Sequence, residues 1–123
     1  MKEVKVDGAP SPIGPYSQAI VRGDLVFCSG QLGLDPATGA LASGAVEQAR
    51  QALVNLEAVL RGAGSSLSQA LKVTVYLTDL SCFSEMNKVY ADFFVPPYPA
   101  RTAIQVSALP KGAAVEIDVI AMR

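Results

Sequence analysis

The hydrophobic positions of the chain follow two different periods, which divide it into strands and helices. A period of two is clearest at four apolar positions that alternate with mostly polar ones: Leu71, Val73, Val75 and Leu77. This alternation is typical of a strand with one buried face. Steps of three and four connect a second set of positions: Val46, Ala49, Leu53, Leu56 and Leu60. Their spacing predicts a helix from about Ala45 to Ala63, with a stop at Gly62 and Gly64.

Shorter patterns predict the remaining elements. Apolar segments indicate five further strands: Val4–Val6, Ser17–Val21, Leu25–Cys28, Thr102–Ala108 and Ala114–Met122. A second helix is predicted from a cap at Asp79 or Ser81 to about Phe94, because a run of prolines follows it.

Two turn signals suggest how the strands connect. The Gly23-Asp24 pair favours a tight hairpin, and Pro110–Gly112 is expected to join the last two strands in another. The resulting order is β-β-β-α-β-α-β-β, in a single domain that covers residues 1–123. This order predicts an α+β fold with two helices on one face of a mixed sheet.

Composition bears on what covers the other face of that sheet. Half of the residues are hydrophobic and only 17% are charged, which excludes a disordered chain or a nucleic-acid-binding tail. The mean hydropathy of +0.32 is high for a small soluble domain. A monomer would leave much apolar surface in water, so we expect subunits to associate. Tyr76 is one candidate to face the neighbouring subunit.

Absent residue types narrow the chemistry. The chain has no histidine, which excludes Ser-His-Asp triads, Cys-His dyads and histidine-ligated metals. Cys28 and Cys82 are expected to be free thiols, and neither a metal nor a cofactor is implied.

The ten basic and eleven acidic residues are scattered, so nucleic acid is not expected as the main partner. No apolar run is long enough to span a membrane, and the N-terminus is unlike a signal peptide. We therefore expect a cytoplasmic protein.

Arg101 and Glu116 are the strongest candidates for chemistry. Arg101 follows a proline-rich loop at the start of a strand, and a guanidinium held in that way can grip a carboxylate with two hydrogen bonds. Glu116 is a carboxylate in an apolar strand, suited to take a proton from water. The alternative for Arg101 is a surface arginine or an intersubunit salt bridge, and the alternative for Glu116 is a solvent-facing glutamate that shares its strand face with Asp118. In the expected hairpin Glu116 lies opposite about Gln105, which leaves Arg101 roughly 13 Å away along the strand.

Two weaker candidates lie nearer the N-terminus. Gly30, at a strand end, lets a ligand approach the backbone, and the Ser29 hydroxyl could hold a polar atom. A turn explains both residues equally well. Tyr16 follows a rigid loop of prolines and glycines and could present its phenol to a ligand, or it could be a core tyrosine.

Several separated motifs together resemble the RidA (YjgF) family of reactive-intermediate deaminases. They cover nearly the whole chain: Ile13–Ala19, Ser29–Gln31, Asp35-Pro36 with Thr38-Gly39, Asn87 with Tyr90 and Phe93-Phe94, Pro99–Thr102, Leu109–Gly112 and Val115–Ile117. The resemblance implies a chorismate-mutase-like α+β fold. It also implies a homotrimer whose sheets face inward, with sites in the clefts between subunits.

The same resemblance implies an activity. It is the hydrolysis of 2-imino acids such as 2-iminobutanoate and 2-iminopropanoate to 2-oxo acids and ammonia, a hydrolase reaction at a C–N bond without metal or cofactor. Arg101 would anchor the substrate carboxylate and Glu116 would activate water. Four residues would line the pocket: Tyr16, Ser29, Gly30 and Asn87. Many family members carry a cysteine where this chain has Ala103, so no thiol role is expected there.

Three other functions are weighed against the deaminase. A non-catalytic trimer that binds 2-oxo acids would also need Arg101 but not Glu116. RNA binding or cleavage conflicts with the net charge of -1 and the scattered basic residues. Chorismate mutase activity would need several convergent cations, and Arg101 is the one cation that the sequence places in the site.

Overall fold

The computed structural model describes residues 1–123 as one mixed sheet covered by two helices. The strands are β1 (Lys2–Val4), β2 (Ala19–Arg22), β3 (Leu25–Cys28), β4 (Gln31–Leu32), β5 (Ala70–Leu77), β6 (Ala100–Gln105) and β7 (Val115–Met122). The α-helices are α1 (Gly44–Gly62) and α2 (Phe83–Ala91). The predicted α+β class and the two helices are confirmed. Strand β4 was not predicted, because two residues are too few to show a period.

The strands run in the spatial order β1-β2-β3-β7-β5-β6, and β4 also pairs with β7. The predicted hairpin at Gly23-Asp24 is confirmed, with Arg22 opposite Leu25. The predicted hairpin between the last two strands is wrong. Strand β5 lies between them, antiparallel to β7 and parallel to β6. The chain enters β6 from α2 by a crossover. The Pro110–Gly112 segment is a short 3-10 helix in the connection from β6 to β7, which lie on opposite sides of β5.

One face of the sheet packs on both helices and forms the core. In β5 and β7 the fully buried residues alternate along each strand: Val73, Val75 and Leu77, with Val115, Ile117 and Val119. They meet the buried stripe of α1, including Leu53, Leu56 and Leu60. The alternation predicted for β5 holds except at Leu71, which is exposed because a bulge interrupts the ladder between Ala70 and Lys72.

The second helix begins and ends differently from the prediction. The Asp79 side chain accepts a hydrogen bond from the Ser81 amide and caps a short 3-10 turn that precedes α2. Helix α2 then ends at Ala91 instead of Phe94. Met86, Tyr90 and Phe94 are still buried in the core, as the pattern predicted.

The opposite face of the sheet, here called the open face, has no helix on it. It carries large apolar side chains that are more than a third exposed: Leu25, Phe27, Ile104 and Met122. Tyr76 lies on this face and donates a hydrogen bond to Asp118 at 3.2 Å. Separately, no helix of the protein is long and apolar enough to cross a membrane.

Candidate active site

Glu116 lies in a cleft at the open face, beside the bend between β3 and β4. Its neighbours in β7, Val115 and Ile117, point into the core, so Glu116 points the other way. The cleft has a volume of about 190 Å³ and is also lined by Tyr16, Gly30 and Lys111. Partial burial raises the pKa of Glu116, and the nearby negative charge of Asp118 raises it further. A carboxylate with a raised pKa is a better proton acceptor from water.

Gly30 is required by the position of the Glu116 carboxylate. A Cβ atom at residue 30 would lie 2.5 Å from Oε2 of Glu116 and 2.8 Å from its Cδ. Both distances are well inside van der Waals contact. The sequence predicted a close approach of a ligand to the Gly30 backbone, and in the protein it is the Glu116 carboxylate that makes the close approach.

Buried amide side chains of α1 hold the segment that faces Glu116, and the sequence analysis missed them. Asn55 donates hydrogen bonds to the carbonyls of Leu32 and Leu34, at 3.2 and 2.9 Å. Gln48 accepts from the Ala114 amide at 2.7 Å, just before β7 begins. Both polar residues are buried on the apolar stripe of the helix. That interruption of the stripe is the signal from which they could have been found.

The loop that carries Tyr16 is held by one buried glutamine. Gln18 accepts a hydrogen bond from the Val6 amide at 2.7 Å and donates to the carbonyls of Val6 and Pro10. Tyr16 itself is half exposed at the mouth of the Glu116 cleft. It is therefore not a core tyrosine, which leaves its phenol available to a ligand.

Ser29 stands slightly apart from the other residues near Glu116. Its hydroxyl donates a hydrogen bond of 2.6 Å to the Ser17 carbonyl, and its amide bonds to the Gln18 carbonyl. These bonds tie the end of β3 to the Tyr16 loop. Ser29 does not line the Glu116 cleft, although its hydroxyl oxygen can still accept a hydrogen bond.

Arg101 and Asn87 form a second cleft, at the edge of the sheet. Nη1 of Arg101 donates a hydrogen bond of 2.7 Å to Oδ1 of Asn87. The guanidinium carbon also lies over the rings of Phe83 and Tyr90, at 5.3 and 4.7 Å from their centroids. The cleft has a volume of about 320 Å³. Arg101 forms no salt bridge within the chain, so its positive charge is free for an anion.

The two clefts lie on opposite faces of the sheet. Arg101 pairs with Val73, whose side chain is buried on the helix side, whereas Glu116 pairs with Tyr76 on the open face. Paired residues of neighbouring strands point to the same face. The two residues are also two strands apart, about 10 Å, and offset along the strands by a further distance of about 10 Å. Within one chain Arg101 and Glu116 cannot touch one small substrate.

The thiols do not belong to either cleft. Both cysteines are free. Burial, and to a lesser degree the charge of Asp118, raises the pKa of Cys28 to about 12, so its thiol stays protonated. No group of three or more carboxylate or thiol side chains is arranged to hold a metal ion.

Comparisons with known proteins agree with the fold and the motifs. The model of a family described as Endoribonuclease L-PSP matches residues 6–123. A RutC family protein of Sinorhizobium fredii is 54% identical over 98% of this chain and 96% of its own length. The 2-iminobutanoate/2-iminopropanoate deaminase of Capra hircus is 49% identical over 94% of this chain and 85% of its own.

A solved structure extends the similarity to three dimensions. The crystal structure of RidA from the Antarctic bacterium Psychrobacter sp. superposes with a TM-score of 0.98 at 46% identity, and the alignment covers 100% of both chains. Family match, sequence identity and backbone shape thus agree over almost the whole length. The chain belongs to the RidA (YjgF) family.

Proposed function

We propose that this protein hydrolyses short 2-imino acids, such as 2-iminobutanoate and 2-iminopropanoate, to 2-oxo acids and ammonia in the cytoplasm. In the reaction, water adds to the imine carbon and the C–N bond then breaks, with protons transferred to the departing nitrogen. An imine carbon is already electrophilic, so the protein has mainly to hold the substrate and place a water. The names of relatives such as the Capra hircus deaminase support this choice of substrate.

Arg101 is proposed to bind the substrate carboxylate. Its Nη1 is already hydrogen-bonded to Asn87, which fixes the guanidinium and leaves its remaining N–H groups for a two-bond grip. Asn87 then acts through Arg101 and lines the same cleft. This division of roles assigns substrate binding to the edge of the sheet.

Glu116 is proposed to take a proton from the attacking water. Partial burial and the charge of Asp118 raise its pKa, which makes its carboxylate a stronger base. Tyr16 and the Gly30 backbone are proposed to contact the substrate nitrogen or the water, and Ser29 to hold the strand end that carries Gly30. Glu116, Tyr16 and Gly30 line one cleft, and the hydrogen bond of Ser29 to the Ser17 carbonyl supports it from outside.

The protein is proposed to act as a homotrimer with each site between two subunits. The observation that carries the proposal is the opposite orientation of Arg101 and Glu116 within one chain. A site that needs both residues must take one from each of two copies. The apolar side chains of the open face, among them Phe27 and Ile104, give those copies a surface to bury.

An imine-trapping assay tests the proposed reaction. An amino-acid oxidase generates the imine from several L-amino acids, and semicarbazide competes for it. The unmutated protein should suppress semicarbazone formation, and the Arg101→Ala variant should not. If the unmutated protein changes the signal with none of the amino acids, the proposed hydrolysis is wrong.

A non-catalytic 2-oxo acid binding protein is the second candidate, because the Arg101 cleft could hold a carboxylate without any turnover. Glu116→Gln separates the two functions. As a deaminase the variant should still bind 2-oxobutanoate in calorimetry but lose hydrolysis. As a binding protein, neither the variant nor the unmutated chain should hydrolyse imines.

A further inference from the structure

The side chains that contact the Arg101 guanidinium lie on one side of helix α2. Phe83, Asn87 and Tyr90 occupy positions i, i+4 and i+7, which lie on the same side of a helix. Arg101 reaches this stripe from the neighbouring edge strand β6. Its guanidinium carbon lies 5.3 Å from the Phe83 centroid and 4.7 Å from the Tyr90 centroid, with Asn87 bonded to Nη1. Two aromatic rings and one amide therefore surround the cation.

This arrangement restricts where the cation can bind an anion. All N–H groups of a guanidinium lie in its plane, whereas its faces stack on aromatic rings. Both rings lie against the guanidinium carbon, and a carboxylate can hydrogen-bond the cation only at the N–H groups on its edge. Asn87 takes part of that edge, so the remaining edge is the one available to a carboxylate.

The Tyr90 ring is itself fixed, and its hydroxyl does not explain its place. The ring stacks on Phe94 with centroids 4.4 Å apart and an interplanar angle of 28°. Its hydroxyl is buried and has no hydrogen-bond partner. A buried hydroxyl without a partner costs stability. The hydroxyl therefore does not account for a tyrosine at this position, whereas the ring contacts the Arg101 guanidinium.

We infer that Tyr90 and Phe83 are positioning residues for Arg101, whose rings hold the guanidinium plane in the orientation that grips the substrate carboxylate. This inference rests on the proposed function of Arg101. Neither ring needs to touch the substrate. Cation–π attraction of this kind typically corresponds to a change of several-fold to about thirtyfold in an equilibrium constant.

The test compares three variants. Tyr90→Leu removes the ring face but keeps an apolar side chain. Tyr90→Phe keeps the ring and removes only the unpartnered hydroxyl. Phe93→Leu is the matched control, because Phe93 is a ring packed against the same core that neither stacks on Tyr90 nor lies over Arg101. Thermal melting of each variant shows whether it folds. If Tyr90→Leu does not fold, Phe83→Leu replaces it, since Phe83 is only partly buried.

Tyr90→Leu should raise KM for the imino acid and the dissociation constant for 2-oxobutanoate by about tenfold, with a smaller change in kcat. Tyr90→Phe should retain the unmutated values, and Phe93→Leu should lower the melting temperature with little change in KM. Unchanged KM and binding in Tyr90→Leu would overturn the inference. An equal rise in KM in Phe93→Leu would also overturn it, because the effect would then be a general loss of packing.

Side-chain NMR makes the test independent of catalysis. The guanidinium ¹H and ¹⁵N resonances of Arg101 should carry ring-current shifts that Tyr90→Leu reduces, because only the Phe83 ring then remains, and that Tyr90→Phe retains. If the unmutated protein neither hydrolyses imines nor binds 2-oxobutanoate, the proposed function fails, and these shifts still decide whether the rings hold the cation. Resonances identical in the unmutated and Tyr90→Leu proteins would overturn the inference.

Discussion

Replacing Gly30 with alanine should disable Glu116 while leaving the fold intact. The added Cβ would lie 2.5 Å from Oε2 and 2.8 Å from Cδ of Glu116. Non-bonded atoms of this kind prefer separations of about 3.5 Å. The carboxyl group must therefore move by roughly 1 Å, and a misplacement of that size can reduce a rate about 100-fold.

The cost in stability should be small. The colliding atoms are the end of a flexible side chain, and Gly30 is not among the glycines with positive φ. Alanine at a compatible backbone position typically stabilises a protein by about 0.4–1 kcal/mol through the unfolded state. This gain offsets part of the strain, so the melting temperature should change by only a few degrees.

The assay is kcat/KM for imine hydrolysis beside a thermal melt, with Gly8→Ala as the matched control. A Cβ atom added at Gly8 would lie 3.4 Å from the Cβ atom of Ala58, its nearest neighbour, so no active-site group moves. Gly30→Ala should lose about 100-fold in kcat/KM, and Gly8→Ala should lose almost nothing. A folded Gly30→Ala protein with unmutated kcat/KM would refute the assignment of Glu116 as the proton acceptor.

Three further predictions follow from other contacts. Asp118→Asn removes a charge that raises the pKa of Glu116, and the ionised carboxylate is the active form. The acidic limb of the pH–kcat/KM profile should therefore move to lower pH, and an unmoved limb would contradict this cause of the raised pKa. Arg101→Lys keeps the charge but loses the planar fork, so KM should rise roughly 10- to 100-fold with a smaller fall in kcat, measured in steady-state kinetics beside Arg101→Ala. Phe27→Glu puts a carboxylate on the open face, so light scattering should report a smaller species than the unmutated oligomer; an unchanged mass would mean that copies do not meet there.

Local pattern was enough to predict both helices and every strand except β4, but not how the last strands pair. The period of α1 and the alternation in β5 follow from which face is buried, and both are readable in the sequence. The order β7-β5-β6 depends on a parallel pairing made through a crossover. No local signal records that pairing, and the turn at Pro110–Gly112 resembled a hairpin. The predicted neighbourhood of Glu116 and Gln105 was therefore wrong.

The candidate residues were predictable, but their surroundings were not. Arg101 and Glu116 are charged residues in stiff or apolar segments, which single them out in the sequence. That Gly30 makes room for Glu116, and that Gln18 holds the Tyr16 loop, are contacts between residues distant in the chain. Such contacts arise only when the sheet order and the loop path are known.

Mixing inactive variants tests most directly whether each site combines two chains. Arg101→Ala subunits retain Glu116, and Glu116→Gln subunits retain Arg101. After joint refolding in equal amounts, about one site in four should combine an intact Arg101 with an intact Glu116 from its neighbour. The account predicts recovery of about a quarter of the unmutated activity. If the mixture stays as inactive as each variant alone, the site does not combine these two residues across subunits, and the account is wrong.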